Sequence, residues 1–142
     1  MLRGIPKLIS PELMKCMMEM GHGDRMVLAD ANYPASSHGK RVIRLDGGEI
    51  PELLEAVLQF FSLDHFVSNP VRLMKNLPGE PVPKIWETYR EIIKKMDLDQ
   101  AFEDFFFMDR LPFYEESENA YVIVQTGDTA RYGNIILQKG VY

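Results

Sequence analysis

The sequence predicts an α/β layered domain in which a mostly parallel central sheet is flanked by helices. Three observations carry that reading. Apolar residues recur at helical spacing in three segments, and two of these open with proline at a helix start. Short apolar runs without polar alternation stand among them, the pattern of strands covered on both faces. Such runs alternate with helices along the chain, which is how a parallel sheet with crossover helices is encoded. A chain of 142 residues fits one domain, expected over residues 1–142, and at this size folding buries about 70% of the surface the unfolded chain exposes.

Ser10-Pro11-Glu12 supplies an N-cap, a proline for the first helical position and an acid in the first turn. Leu13, Met14, Met17 and Met20 follow at helical spacing, so a helix is expected from Pro11 to Met20. Gly21 fits the left-handed residue that closes a helix, which would bring His22 out beside the last carbonyls. Met26-Val27-Leu28-Ala29 reads as a buried strand ending at Asp30. Residues 31–40 have no period and are rich in loop formers. Val42-Ile43-Arg44-Leu45 is a second strand and Asp46-Gly47-Gly48 a turn; Pro51 then opens a helix carrying Leu53, Leu54, Val57, Leu58 and Phe61, with Asp64 just beyond it.

A short strand is expected between Val67 and Met74, and four Pro and Gly positions make residues 76–83 an irregular connection. Ile85, Tyr89, Ile92, Ile93 and Met96 mark a third helix. Phe105-Phe106-Phe107-Met108 reads as a buried strand, with a short helical stretch around Tyr114 to Glu118 before the next one. Tyr121-Val122-Ile123-Val124 and Ile135-Ile136-Leu137 are the last two strands. No internal repeat or low-complexity segment interrupts the series.

The formal charge of −5 is spread along the chain and offers no basic patch dense enough to follow a phosphate backbone, so nucleic acid is not an expected partner. No apolar run reaches the roughly 18 residues of a membrane helix, and the opening Met-Leu-Arg-Gly-Ile-Pro lacks signal-peptide form; a cytoplasmic protein with no membrane partner is expected. The single cysteine, Cys16, lies on a predicted apolar stripe and reads as a small core hydrophobe.

Chemistry in an open α/β sheet gathers at the carboxyl ends of strands, where Asp30 is placed. His22, between two glycines, is approachable, and an imidazole has the pKa for proton transfer near neutrality. From spacing alone it serves equally as a plain helix-end residue. His22, Asp24 and Asp30 stand within nine residues, but without the His-x-x-x-His or Cys-x-x-Cys spacing that would make a metal site specific. Gly21-His22-Gly23 lacks a third glycine and precedes a strand, so it is not a phosphate loop, and serine or cysteine nucleophile signatures are missing. Tyr132-Gly133-Asn134 offers a phenol and an amide for sugar hydroxyls, and it also suits a hairpin turn with a packed tyrosine. Glu115, Glu116 and Glu118 read as a solvated face; His38 and His65 receive no role.

Several blocks together resemble one family. They are Leu8-Ile9-Ser10-Pro11-Glu12-Leu13, Met20-Gly21-His22-Gly23-Asp24 and Val27 through Ala35 (Val-Leu-Ala-Asp-Ala-Asn-Tyr-Pro-Ala). Ile50 through Val57, Phe113-Tyr114-Glu115 and Thr126 through Leu137 continue the match in order and spacing. The chain thereby resembles, over nearly its whole length, the L-fucose mutarotase and D-ribose pyranase family.

The resemblance implies the fold of that family and an isomerase that interconverts the α and β anomers of L-fucose by acid-base ring opening and closure, with no metal or organic cofactor. It makes His22 the proton donor and Asp30, Arg110, Tyr132 and Asn134 sugar-binding residues, with Asp64, Met74 and Tyr114 as further pocket residues. It also implies a homo-oligomer, commonly a decamer of two pentameric rings, with active sites at subunit interfaces. The chain departs from the family at Glu116, where a basic residue is usual, at Pro112 between Arg110 and Tyr114, and at Tyr33, where phenylalanine is common. Two alternatives stand beside this reading: pyranase-type activity on ribose or another monosaccharide, and a non-catalytic sugar-binding, ring-forming module.

Overall fold

In the computed structural model, which describes residues 1–142, the Ser10 hydroxyl accepts from Leu13 N at 3.1 Å and starts α1 (Pro11–Glu19). That helix stops at Met20, whose backbone is extended, and the left-handed glycine is Gly23 (φ +86°) rather than Gly21. The chain turns into β1 (Arg25–Ala29) through Gly23 N, which donates to Lys139 O at 2.8 Å. Residues 31–40, expected as loop, contain one short helix, α2 (Ala35–His38). Next come β2 (Val42–Leu45) and α3 (Ile50–Leu58), where the Asp128 carboxylate accepts from Ile50 N at 2.9 Å. A distant acid thus caps the helix in place of a local one.

β3 (Val71–Met74), α4 (Lys84–Met96), β4 (Phe106–Met108), α5 (Arg110–Glu118), β5 (Val122–Thr126) and β6 (Ile135–Gln138) complete the chain. α5 begins four residues before the expected stretch. Pro112 is its third residue, where the backbone needs no N–H donor, so the proline is compatible with the helix. β4 is a correction: Phe105 is buried, but Phe106 and Phe107 are exposed on the outermost strand.

The six strands form one sheet in the order β2-β5-β1-β6-β3-β4. β2, β5 and β1 run parallel to one another, as do β3 and β4; β6 alone runs against both its neighbours. The sheet is therefore mostly parallel, with one reversed strand joining its two halves. Alternation divides the side chains between its faces. Met26, Leu28, Val71, Leu73, Val122, Val124, Ile135 and Leu137 face α1, α3 and α4 and form the main core with Leu13, Leu53, Leu54 and Ile93. Val27, Ala29, Met74, Ile123 and Ile136 face the other way and pack under Phe113 of α5 and Ala35 of α2. By the same alternation Arg25, Arg72 and Gln138 share this second face. None of the helices is long and apolar enough to cross a membrane.

Candidate active site

The antiparallel register of β1 and β6 sets Leu28 against Ile135, which brings Asp30 beside Asn134 just past the strand ends. Asp30 N donates to Asn134 Oδ1 at 2.7 Å, and Asn134 Nδ2 donates to Asp30 Oδ2 at 3.0 Å. Asn32 N donates to the other carboxylate oxygen at 2.8 Å. Asp30 is thereby fixed by two donors while remaining partly open to solvent.

Tyr132 has a left-handed backbone (φ +56°), uncommon for a residue with a bulky side chain. Three contacts hold it there. Trp86 Nε1 donates to Tyr132 O at 2.9 Å, the Tyr89 hydroxyl donates to Gly133 O at 2.6 Å, and the Tyr132 hydroxyl donates to Glu80 Oε2 at 2.5 Å. That hydrogen bond, with the nearby Arg131 guanidinium, holds the Glu80 carboxyl below the usual range. Gly133 leaves no room for a side chain: a Cβ would stand 2.9 Å from Ala130 O. Strain of this kind costs on the order of 1–3 kcal/mol and persists only where the surrounding contacts hold it.

Met74, Arg110, Tyr114, Tyr132 and Asn134 line one cleft of about 490 Å³, a size suited to a small ligand. Arg110 is exposed and lies 5.5 Å from the Tyr114 ring centroid. Tyr114 in turn stacks on His38 at 5.3 Å and meets Tyr33 at 5.5 Å, and His38 Nδ1 is 2.6 Å from Glu118 Oε1. The Tyr33 hydroxyl donates to Ser117 and is buried, so its pKa is pushed up to about 12 by desolvation. Tyr33 is therefore a structural support beneath the cleft, and its extra hydroxyl is already engaged.

His22 and Asp64 lie elsewhere. β1, about 13 Å long at the usual rise, separates His22 from Asp30. The His22 imidazole, nearly half exposed, meets a carboxylate rather than the end of α1: Nε2 is 3.1 Å from Asp64 Oδ1. Asp64, 1% exposed, also accepts from Phe66 N at 3.0 Å and from Gln138 Nε2 at 2.9 Å. Burial pushes its pKa up, but these hydrogen bonds together outweigh burial and hold the carboxyl below the ordinary aspartate range. The carboxylate of Asp24 is taken up by Gly21 N at 2.7 Å, so His22, Asp24 and Asp30 do not converge on one point.

Sequence reasoning missed the supports: Glu80, Trp86 and Tyr89 around Tyr132, and Arg72, Gln138 and Glu116 beyond Asp64. Glu116 corrects the solvated-face reading, because its carboxylate lies 2.9 Å from Arg25 Nε and 3.2 Å from Arg72 Nη1 and is largely buried. Those two N–H groups are not aligned on the carboxylate, so the contacts are ion pairs rather than hydrogen bonds.

A mixed α/β sheet with a polar, aromatic-sided cleft at the ends of β3 and β4 and the start of β6 defines a protein built to hold a small ligand. The chain belongs to the RbsD / FucU transport protein family, which residues 3–142 match. It is 44% identical to the fucose mutarotase of Bos taurus over 99% of this chain and 94% of that protein. It is 43% identical to the L-fucose mutarotase of Actinobacillus pleuropneumoniae, over 99% and 97% respectively. The crystal structure of the fucose mutarotase in complex with L-fucose from Streptococcus pneumoniae superposes with a TM-score of 0.93 at 49% identity, covering 99% of both chains. Bacillus subtilis RbsD complexed with D-ribose shares the fold, with a TM-score of 0.68 at 19% identity over 94% of this chain and 95% of that one.

Proposed function

We propose that the chain is a sugar mutarotase acting on L-fucose as one domain over residues 1–142, with His22 moving the proton and Asp30, Arg110, Tyr132 and Asn134 holding the sugar. The single observation that carries this is full-length similarity to fucose mutarotases, one of them a structure with L-fucose bound, together with the cleft at the ends of β3 and β4 and the start of β6. Only protons pass between protein and sugar. The anomeric hydroxyl loses its hydrogen, the bond from C1 to the ring oxygen breaks, and that oxygen gains a proton. The open aldehyde turns about its C1–C2 bond and closes on the other face.

An imidazole serves both transfers in turn, a form of acid-base assistance worth about 10² to 10⁴ in rate. No redox partner or group carrier enters that balance. With Nε2 occupied by Asp64, His22 works through Nδ1. Asp30 accepts hydrogen bonds from sugar hydroxyls, Arg110 and Asn134 donate to them, and the Tyr132 and Tyr114 rings and Met74 cover the less polar surface. Asp64 acts on His22 rather than on the sugar.

The separation of His22 from the cleft within one chain supports a shared site, in which a neighbouring copy brings His22 to this copy's cleft. We read the protein accordingly as a closed homo-oligomer, a decamer of two pentameric rings, working in the cytoplasm on a free monosaccharide. Exchange NMR on L-fucose tests the activity: the protein should raise anomer exchange above the spontaneous rate, and His22→Ala should lower its contribution at least about tenfold. Unchanged exchange for L-fucose with the intact protein rejects the reading. Sedimentation analysis tests the assembly, and a monomer at working concentration rejects the shared site.

A further inference from the structure

Gln138 closes β6 with its amide caught between two charges. Oε1 accepts from Arg72 Nη2 at 2.8 Å, and Nε2 donates to Asp64 Oδ2 at 2.9 Å. A guanidinium has donors only, and an ionised carboxylate accepts only. Each neighbour therefore forbids the flipped amide, and Gln138 has one orientation. Arg72 is fixed from behind, since Glu116 of α5 lies against Nη1, and Arg25 shares that carboxylate.

The side chains of Glu116, Arg72, Gln138, Asp64 and His22 thus form a continuous polar run from α5 to the imidazole. The register explains it: Arg72 pairs with Ile136, Arg25 pairs with Gln138, and all three polar residues lie on the sheet face that α5 covers. Helix periodicity then places Glu116 above them, one turn after the buried Phe113.

Asp64 completes the logic. Its Oδ2 is taken by Gln138, and its Oδ1 is shared by Phe66 N and His22 Nε2. Because the carboxylate cannot donate, the neutral imidazole must carry its hydrogen on Nε2. Nδ1 makes no hydrogen bond within the chain.

We propose that Gln138, clamped by Arg72, is a positioning residue for anomer exchange: it orients Asp64 so that His22 keeps its hydrogen on Nε2 and turns a free Nδ1 toward the sugar. This rests on the reading of His22 as the proton-transfer group. Gln138 does not touch the sugar. Its effect is on the chemical step, so its loss should lower kcat while leaving KM nearly unchanged.

Gln138→Met keeps the side chain's length and removes both polar contacts. In the assembled full-length protein, kcat for L-fucose anomer exchange should fall on the order of tenfold to a hundredfold, the scale of a small misplacement of a reacting group. KM should stay within about twofold. The ¹⁵N signals of the His22 ring should move from the Nε2–H pattern toward a tautomer mixture, while far-UV circular dichroism and oligomer size stay those of the wild type. Should Gln138→Met fail to fold, Gln138→Glu keeps the shape and the contact to Arg72 but offers Asp64 no donor, and the same kcat loss is expected. A folded variant with wild-type kcat and an unchanged ring tautomer overturns the proposal. His22→Ala run alongside separates the two readings: wild-type exchange in that variant sinks the role of His22, whereas the tautomer signal in Gln138→Met still judges the clamp.

Discussion

Asp30 and Asn134, 104 residues apart in sequence, exchange two hydrogen bonds that close a small ring at the mouth of the cleft. The pair follows from strand register. Asp30 is the first residue past β1 and Asn134 the last before β6, and the antiparallel register leaves these flanking residues diagonal neighbours, one step out of register. The asparagine oxygen is committed to Asp30 N, so its amide has a single orientation, and the aspartate stands fixed behind the asparagine that lines the cleft.

Asn134→Asp tests that pairing. The substitution replaces the N–H that faces Asp30 Oδ2 with an oxygen and sets two carboxylates against each other. Losing a charge-assisted hydrogen bond costs about 1.5–3 kcal/mol, so affinity for L-fucose, measured by calorimetry, should fall about tenfold or more. Undiminished affinity would show that the Asp30–Asn134 pair plays no part in holding sugar.

Tyr89→Phe probes the support of the Tyr132 turn. Tyr89 is fully buried, desolvation drives its pKa far above the ordinary phenol value, and its hydroxyl is spent on Gly133 O. Removing it leaves a buried carbonyl short of a partner, at a cost of about 1–3 kcal/mol. Thermal unfolding should shift down by several degrees, at roughly 2–4 °C per kcal/mol for a domain of this size. An unchanged melting temperature would mean that the carbonyl finds another donor.

Much of this was legible because it is local. Ser10-Pro11-Glu12 announces α1 by chemistry confined to one turn, and the apolar spacing of α3 and α4 needs no knowledge of what covers them. What the sequence hid depends on neighbours distant in the chain. Phe105 to Met108 reads as a buried strand, yet β4 lies on the sheet edge, and strand order is not written in a run of four residues. Arg72 and Gln138 look like ordinary polar strand residues until β3, β6 and β1 are set in register. Glu116 looks solvated beside Glu115 and Glu118; only its place one turn after Phe113 sends it inward. His22, Asp30 and Tyr132 stand out by residue type and position, but only the resemblance gives them roles; residue types alone leave His22 and Tyr132 each with a plain structural alternative.

Gly127→Ala tests a backbone crossing that supports the same end of the sheet. A Cβ on Gly127 would stand 2.0 Å from Asp46 O, and Gly127 N is already bonded to Gly48 O at 3.0 Å, so neither strand can give way alone. The loss should be on the order of 3 kcal/mol or more, in the range of severe overpacking. Chemical denaturation should show it as a lower midpoint with an unchanged slope; a wild-type midpoint would contradict the crossing.

Asp64 carries a pH dependence whose sign is fixed. Its folded pKa is depressed, because the hydrogen bonds from Phe66 N, Gln138 and His22 outweigh the burial that would raise it. The stability it contributes is therefore present above the unfolded aspartate value of about 3.9 and is lost as pH falls through the lower folded value. Asp64→Asn should thus be less stable than the wild type at pH 6, with the gap narrowing below about pH 4. Denaturation curves at both pH values check this; a constant gap would mean that Asp64 does not titrate between the two states as described.

The shared site makes a prediction that neither half of it makes alone. His22→Ala lacks the proton-transfer group but keeps an intact cleft, and Asn134→Asp lacks the cleft's amide but keeps His22. If each site takes His22 from one subunit and Asn134 from its neighbour, a mixed ring contains some junctions where both intact residues meet. Random mixing in equal amounts makes about a quarter of the junctions whole, provided the variants are unfolded and refolded together so that subunits exchange. At sugar concentrations below KM the mixture should then recover about a quarter of wild-type anomer exchange by NMR, while each variant refolded alone recovers about a tenth or less. Simple mixing without refolding is the control, and its activity should stay near that of the parents. A refolded mixture no more active than its parents, with ring size preserved, would place His22 and Asn134 in one chain's own site, and the distance that β1 sets between them would then have to be crossed by a rearrangement of the loop carrying His22.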